Sequence, residues 1–471
     1  MRDAIGRAVF LAAMSVASTA SASPVEDAVE DRRVMFDPKT TQTVRENAQY
    51  RLATRLYEMR LHQAAYAVFA DIADKPQHAA FERTLPWLGK LEIDLPLPAD
   101  VDERMSKYDD RAIEAFHLEF FRARWLFKSN RFDDALRWIG KVPRSSRYYQ
   151  KAWFLGGVAQ VHMKRAPEAV QAFKRVASAG EEDDAYLYEQ ERLADLALLS
   201  IARTYYSAKE YPTALEYWRK VDERGELWTD ALYEQSWALF MTGDHARALG
   251  NLFILRTEWL DSQWYPEADH LKALVYVANC QYEDARTLAA QFHQRYSPVA
   301  NDLRALKLDD DEKAYRFARE IRDGKSTLAS RSIIAAVTSL SDRELLRHLQ
   351  YVAVIEDEKK RFLRSPASFQ ESALGNDIKD SLDLARDIAI RNAGQLARSR
   401  LARTVAELDR LLGENAKVLA ATRPDVGVRV PAGSQKNVVK DDDEHVIWPF
   451  TGEYWPDEVG TYRQSIQSKC R

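Results

Sequence analysis

The chain has 471 residues, 30% of them charged and 46% hydrophobic, with a formal net charge of −4. Charges of both signs are interspersed, so nothing in the balance points to a nucleic-acid surface. Only 17 glycines and few strand-like alternations argue against a β-rich architecture and for an all-α fold.

The first segment reads MRDAIGRAVFLAAMSVASTASASPVED. Arg2 and Arg7 make a short basic start, Ala8 to Ala17 are mostly apolar, and Ala20-Ser21-Ala22 supplies small residues for a peptidase pocket. This pattern predicts a signal peptide over residues 1–22, cleaved after Ala22. The apolar run falls short of the ~20 residues that span a bilayer. No later stretch is apolar enough to do so, and no cysteine sits at the cleavage point to carry a lipid. Removing Arg2, Asp3 and Arg7 takes away one net positive charge and leaves −5. The expected mature chain is soluble and periplasmic, with no transmembrane span.

Internal self-similarity dominates residues 46–300. In KAWFLGGVAQVHMKRAPEAVQAFKRV, Trp153, Gly157, Ala169 and Phe173 occupy the large, small, small and aromatic positions of a tetratricopeptide repeat. A small residue on each helix lets the pair approach closely, and the aromatic one packs a turn later. The marker alanine recurs at Ala65, Ala135, Ala169, Ala214, Ala248 and Ala285. Two gaps are 34 residues, the length of that repeat. The gap of 37 implies a small insertion, and that of 45 accommodates the acidic GEEDDAYLYEQE. The gap of 70 implies a degenerate unit broken by Pro86, Pro96 and Pro98. The expectation is a tetratricopeptide-like solenoid over 46–300, since such repeats must stack to bury their apolar faces.

Residues 301–422 change character. DDDEKAYRFAREIRDG and STLASRSIIAAVTSLS predict two helices, and two long charged segments follow, separated by PASFQESALG. In the second, Leu401, Val405, Leu408, Leu412 and Leu419 follow the spacing of a coiled-coil seam. An antiparallel helical hairpin is the simplest reading; an intermolecular coiled coil is the alternative. Residues 423–445 read as a linker, and 446–471 form a C-terminal tail.

No catalytic constellation stands out: there is no GxSxG, HExxH, GxxxxGK[ST] or strand-borne GxGxxG. The expectation is therefore no catalytic residues, no cofactor and no metal. His162, His270 and His348 read as surface or groove contacts, and the DDD and DDDEH clusters lack the spaced glycine loop of a calcium site. Transferring the inward positions of a peptide-binding array gives a protein-binding groove of Phe154, Val158, His162, Arg203, Tyr206, Tyr233, Trp237 and Phe240. Several of these also suit the core between repeats. So aromatic a lining suits a partly apolar peptide segment.

The tail, VIWPFTGEYWPDEVGTYR, holds Trp448, Phe450, Tyr454, Trp455 and Tyr462. Pro449 and Pro456 rule out a long regular helix, and so much apolar area implies an interaction. The segment either baits another envelope protein or docks on its own body. Docking is favoured because Cys470 has only Cys280 as an intramolecular disulfide partner, and the register places Cys280 between two helices of the last repeat.

With these features together, and above all WPFTGEYWPDEVGTYR, the chain resembles the exported tetratricopeptide proteins of myxobacteria and related delta-proteobacteria, including those of adventurous gliding motility. The resemblance implies a non-catalytic periplasmic or outer-membrane-associated scaffold whose partners are other envelope proteins. The alternatives are an envelope assembly factor that holds client segments, or an envelope hydrolase with an unrecognised site.

Overall fold

The computed structural model describes residues 23–96, 100–178, 187–257, 260, 264–325, 343–423 and 460–470. The expected signal peptide, the segment STLASRSIIAAVTSLS, nearly all of the linker, and Trp448, Phe450, Tyr454 and Trp455 lie outside them. The described residues contain twenty helices and no strand.

Helix α1 (Pro24–Met35) opens on a capping box in which Ser23 and Glu26 bond each other's backbone. It packs on α2 (Gln42–Glu58), which pairs with α3 (His62–Ala73). The next stretch is irregular: α4 (Phe81–Asp94) precedes the short α5 (Asp100–Met105) and α6 (Asp110–Ala115). Pro86 does not break this unit, because α4 runs through it. The pairs then resume as α7 (Glu119–Lys128) with α8 (Phe132–Ile139), and α9 (Tyr149–His162) with α10 (Ala166–Ala177). They continue as α11 (Leu187–Ser207) with α12 (Tyr211–Trp218), α13 (Trp228–Thr242) with α14 (His245–Ile254), and α15 (Pro266–Ala278) with α16 (Tyr282–Ala305).

One device closes six of these hairpins. Arg60, Asn130, Lys164, Lys209, Gly243 and Cys280 all adopt left-handed backbone, φ between 55° and 77°. The amide one residue later bonds a carbonyl five residues back, as Leu61 to Leu56, Arg165 to Gln160 and Gln281 to Tyr276, at 2.9–3.0 Å. Each left-handed residue stands five positions before a marker alanine, and all six alanines are fully buried. Only glycine takes such a φ without cost, so five of the six turns spend a little strain to reverse the chain at a fixed point. At the α9–α10 crossing, a Cβ on Gly157 would lie 2.4 Å from the Phe173 ring. The small residue is therefore a requirement of that contact.

The remainder folds back on the hairpins. After α17 (Asp311–Arg322) come α18 (Arg343–Phe362), the one-turn α19 (Ala367–Gln370) and α20 (Ala373–Ala421). Its 49 residues make α20 about 74 Å long. The N-terminal half of α20 runs beside α18 and reaches α1 and α3. There Arg32 bonds Asp377, and Arg386 bonds Glu356 at 3.2 Å. Glu358 of α18 is fully buried and accepts the Gln63 and Ala64 amides at 2.8 and 3.0 Å, capping the start of α3. Burial pushes its carboxyl up to about 7.

The C-terminal half of α20 lies on the last hairpin. Leu401, Leu408 and Leu411 pack against Phe292, Tyr296, Val299, Ala300 and Leu303 of α16, with Val405 and Leu412 alongside. The heptad-like seam thus packs on α16 and on Phe317 and Ile321 of α17 within the same chain, while the hairpin with α18 is made by the N-terminal half of α20. His270 is a correction too: it is 7% exposed, close to the fully buried Asn415 of α20, rather than a surface contact. One helix consequently bridges the first and last hairpins.

Candidate functional site

The expected groove residues lie on the first helices of successive pairs, and the structure engages most of them with neighbours. Phe154 and Val158 are half-buried against the Ala169–Phe173 core, with the Phe154 and Phe173 rings 5.4 Å apart. His162 is exposed and stacks on Phe132, 5.2 Å away and 10° from parallel. Arg203 of α11 clasps Glu234 of α13 at 2.9 and 3.0 Å, and Trp218 donates its indole N–H to that same carboxylate at 3.2 Å. Tyr206 packs by Trp218 and Tyr211, at 5.9 and 5.3 Å, and burial raises its phenol pKa.

On α13, the Trp237 indole donates to the Tyr233 hydroxyl at 3.0 Å, one turn apart. The Tyr233 ring sits 5.5 Å from Tyr265, whose hydroxyl reaches Asp230 at 2.7 Å. Burial again raises the Tyr233 pKa. Phe240 packs edge-on against Trp237, 6.1 Å away, and also reaches His245, 5.6 Å off, and the tail. Glu267 at the start of α15 meets Glu407 of α20; burial, then that shared hydrogen bond, push its carboxyl up to about 8. Tyr233, Trp237, Tyr265 and Glu267 thus form one half-buried, largely aromatic corner. Arg203 and His162 lie on earlier pairs. Sequence reasoning missed Glu234, 31 residues from Arg203 and close to one repeat length away, which was the signal that could have paired them.

The second feature is the tail. Cys280 and Cys470 form a disulfide, with Cα atoms 5.0 Å apart across 190 residues of sequence. Residues 460–470 cross α14 and α15 without regular secondary structure beyond a turn at Gly460 and Thr461. The Gln464 and Lys469 amides donate to Ala246 and Asn279 carbonyls, both at 2.9 Å, and Gln281 donates to the Gln467 carbonyl at 2.6 Å. Ile466 is 4% exposed, between Leu249 and Val275. Tyr462 packs near Phe253, and its carbonyl comes so close that a Cβ on Gly250 would stand 1.9 Å away. Gly250 was not singled out in the sequence, because nothing local distinguishes it from a weak helical residue.

No protein-family model matches the chain, and no curated protein matches it.

Among the described residues no group of three or more His, Cys, Asp or Glu side chains is placed to hold a metal ion. None of the described helices is long and apolar enough to cross a membrane. What the corner and the tail offer chemically is contact: aromatic faces, paired charges and backbone hydrogen bonds.

Proposed function

We propose that this protein is an exported, tetratricopeptide-like scaffold that binds other envelope proteins and does no chemistry of its own. The observation that carries the reading is the left-handed turn set five residues before a buried alanine in six hairpins. Arrays of stacked helix pairs work through extended surfaces along their first helices. The Tyr233–Trp237 corner is the part of that surface best suited to a partly apolar segment, because it is aromatic, half-buried and edged by Glu267 and Glu234. Aromatic anchors of this kind dominate binding energy.

Export is supported by the N-terminal pattern and by the Cys280–Cys470 bridge, which persists in oxidising compartments. The periplasm is the expected site. The resemblance of the C-terminal motif sets the scaffold in an outer-membrane-associated machine, with gliding motility as its process. The test is cross-linking and affinity purification from the native host, comparing the parent with Trp237→Ala. Loss of a specific co-purifying envelope protein, with helical circular dichroism retained, supports the reading. Equal recovery of that protein, or collapse of the fold with binding, refutes the assignment of Trp237.

A further inference from the structure

The docked tail completes a cavity of about 330 Å³ at the junction of α12, α13 and α14. That is the small end of ligand pockets. Trp218, buried, and Trp228, half-buried, line it together with Leu232. Arg219, Arg247 and Arg463 line it, and so does Glu223. Arg247 is already held by Asp244 at 2.6 Å. Arg219 and Arg463 are exposed, and neither guanidinium has an ion-pair or hydrogen-bond partner among the described residues.

We propose that this cavity binds a ligand joining a carboxylate to a flat apolar group, with Arg219 and Arg463 on the carboxylate and Trp228 beneath the apolar part, backed by the buried Trp218. Guanidinium groups present paired donors that match a carboxylate, and an indole face supplies contact area for a flat group. A peptide ending in an aromatic residue and a free aromatic carboxylate share this chemistry. Gly460, Thr461 and Arg463 come from the tail that the disulfide pins, so the site exists only while the tail is docked. It uses neither Tyr233 nor Trp237 and stands independently of the proposed groove.

The test is fluorescence polarisation on the full mature chain with fluorescein-labelled Gly-Ser-Gly-Phe, as free acid and as C-terminal amide. The free acid is expected to bind at least about tenfold tighter than the amide. Arg219→Gln and Arg463→Gln should each weaken it by a similar factor at an unchanged melting temperature, since both side chains are exposed. Reducing the disulfide should also abolish binding, whereas Trp237→Ala should leave it intact. Competition by N-acetylphenylalanine at equal affinity assigns the ligand to free carboxylates. A preference for the peptide of about tenfold assigns it to a peptide terminus. Equal binding of acid and amide, binding of neither, or indifference to both arginine substitutions overturns the proposal.

Discussion

Gly250→Ala isolates the contribution of the tail. The added methyl would sit 1.9 Å from the Tyr462 carbonyl oxygen and 2.5 Å from its carbon, and both are backbone atoms that no rotamer can move. The tail must lift. Burial of Ile466 contributes about 1.5–3 kcal/mol, and the two hydrogen bonds to the Ala246 and Asn279 carbonyls about 1 kcal/mol each. Against this, alanine is better than glycine inside α14 by roughly 0.5–1 kcal/mol. The expected outcome is a net loss of about 2.5–4.5 kcal/mol of tail docking, with the disulfide still formed. Hydrogen exchange reads it directly: the Gln464 and Lys469 amides should be protected in the parent and should exchange at near-open rates in the variant. Unchanged protection, or a higher melting temperature from helix propensity alone, would refute the packing of this segment.

Ala169→Leu should overpack the α9–α10 crossing, where Ala169 is fully buried, and cost roughly 1–3 kcal/mol in thermal or urea unfolding; an unchanged midpoint would place the crossing elsewhere. Glu358→Gln tests the cap on α3. With its carboxyl raised from 4.5 to about 7, the folded state holds that proton more tightly than the unfolded chain does. Its stabilising contribution is complete below pH 4.5 and is lost as pH climbs to 7. Relative to the variant, the parent should lose on the order of 3 kcal/mol between pH 4.5 and 8 in urea unfolding, and a pH-independent difference would sink the idea. Reduction of Cys280–Cys470 should lower the melting temperature and expose residues 460–470 to trypsin at Arg463 and Lys469; a tail that stays protected would show that the bridge is dispensable for docking.

Much of the fold is legible because hairpin stacking leaves a local trace. A crossing that admits only a small side chain recurs in register, and that is why six alanines mark six helix pairs. The Cys280–Cys470 pairing needs no choice among partners in a chain with two cysteines. Contacts between distant segments leave no such trace. The apolar stripe at Leu401, Leu408 and Leu412 states that a partner helix exists, but not which helix it is. Only tertiary packing decides that. Pro86 misled for a local reason: a proline costs a helix dearly in isolation, yet Leu85, Leu88 and Leu91 on either side of it are fully buried, and that burial carries α4 through. At the candidate groove, the positions of Arg203, Tyr233 and Trp237 follow from the register. Their engagement with Glu234 and Tyr265 depends on how neighbouring pairs lean together, which periodicity does not encode.

On the proposed reading, the aromatic corner of α13 meets a partner protein in the envelope. A photoreactive benzoylphenylalanine at Tyr233 in the native host probes that contact, with Glu168 on the second helix of an earlier pair as the control position. A light-dependent adduct to one discrete envelope protein is expected from position 233, weakened by Trp237→Ala and absent from position 168. No adduct at 233, or the same adduct from both positions, would overturn the reading.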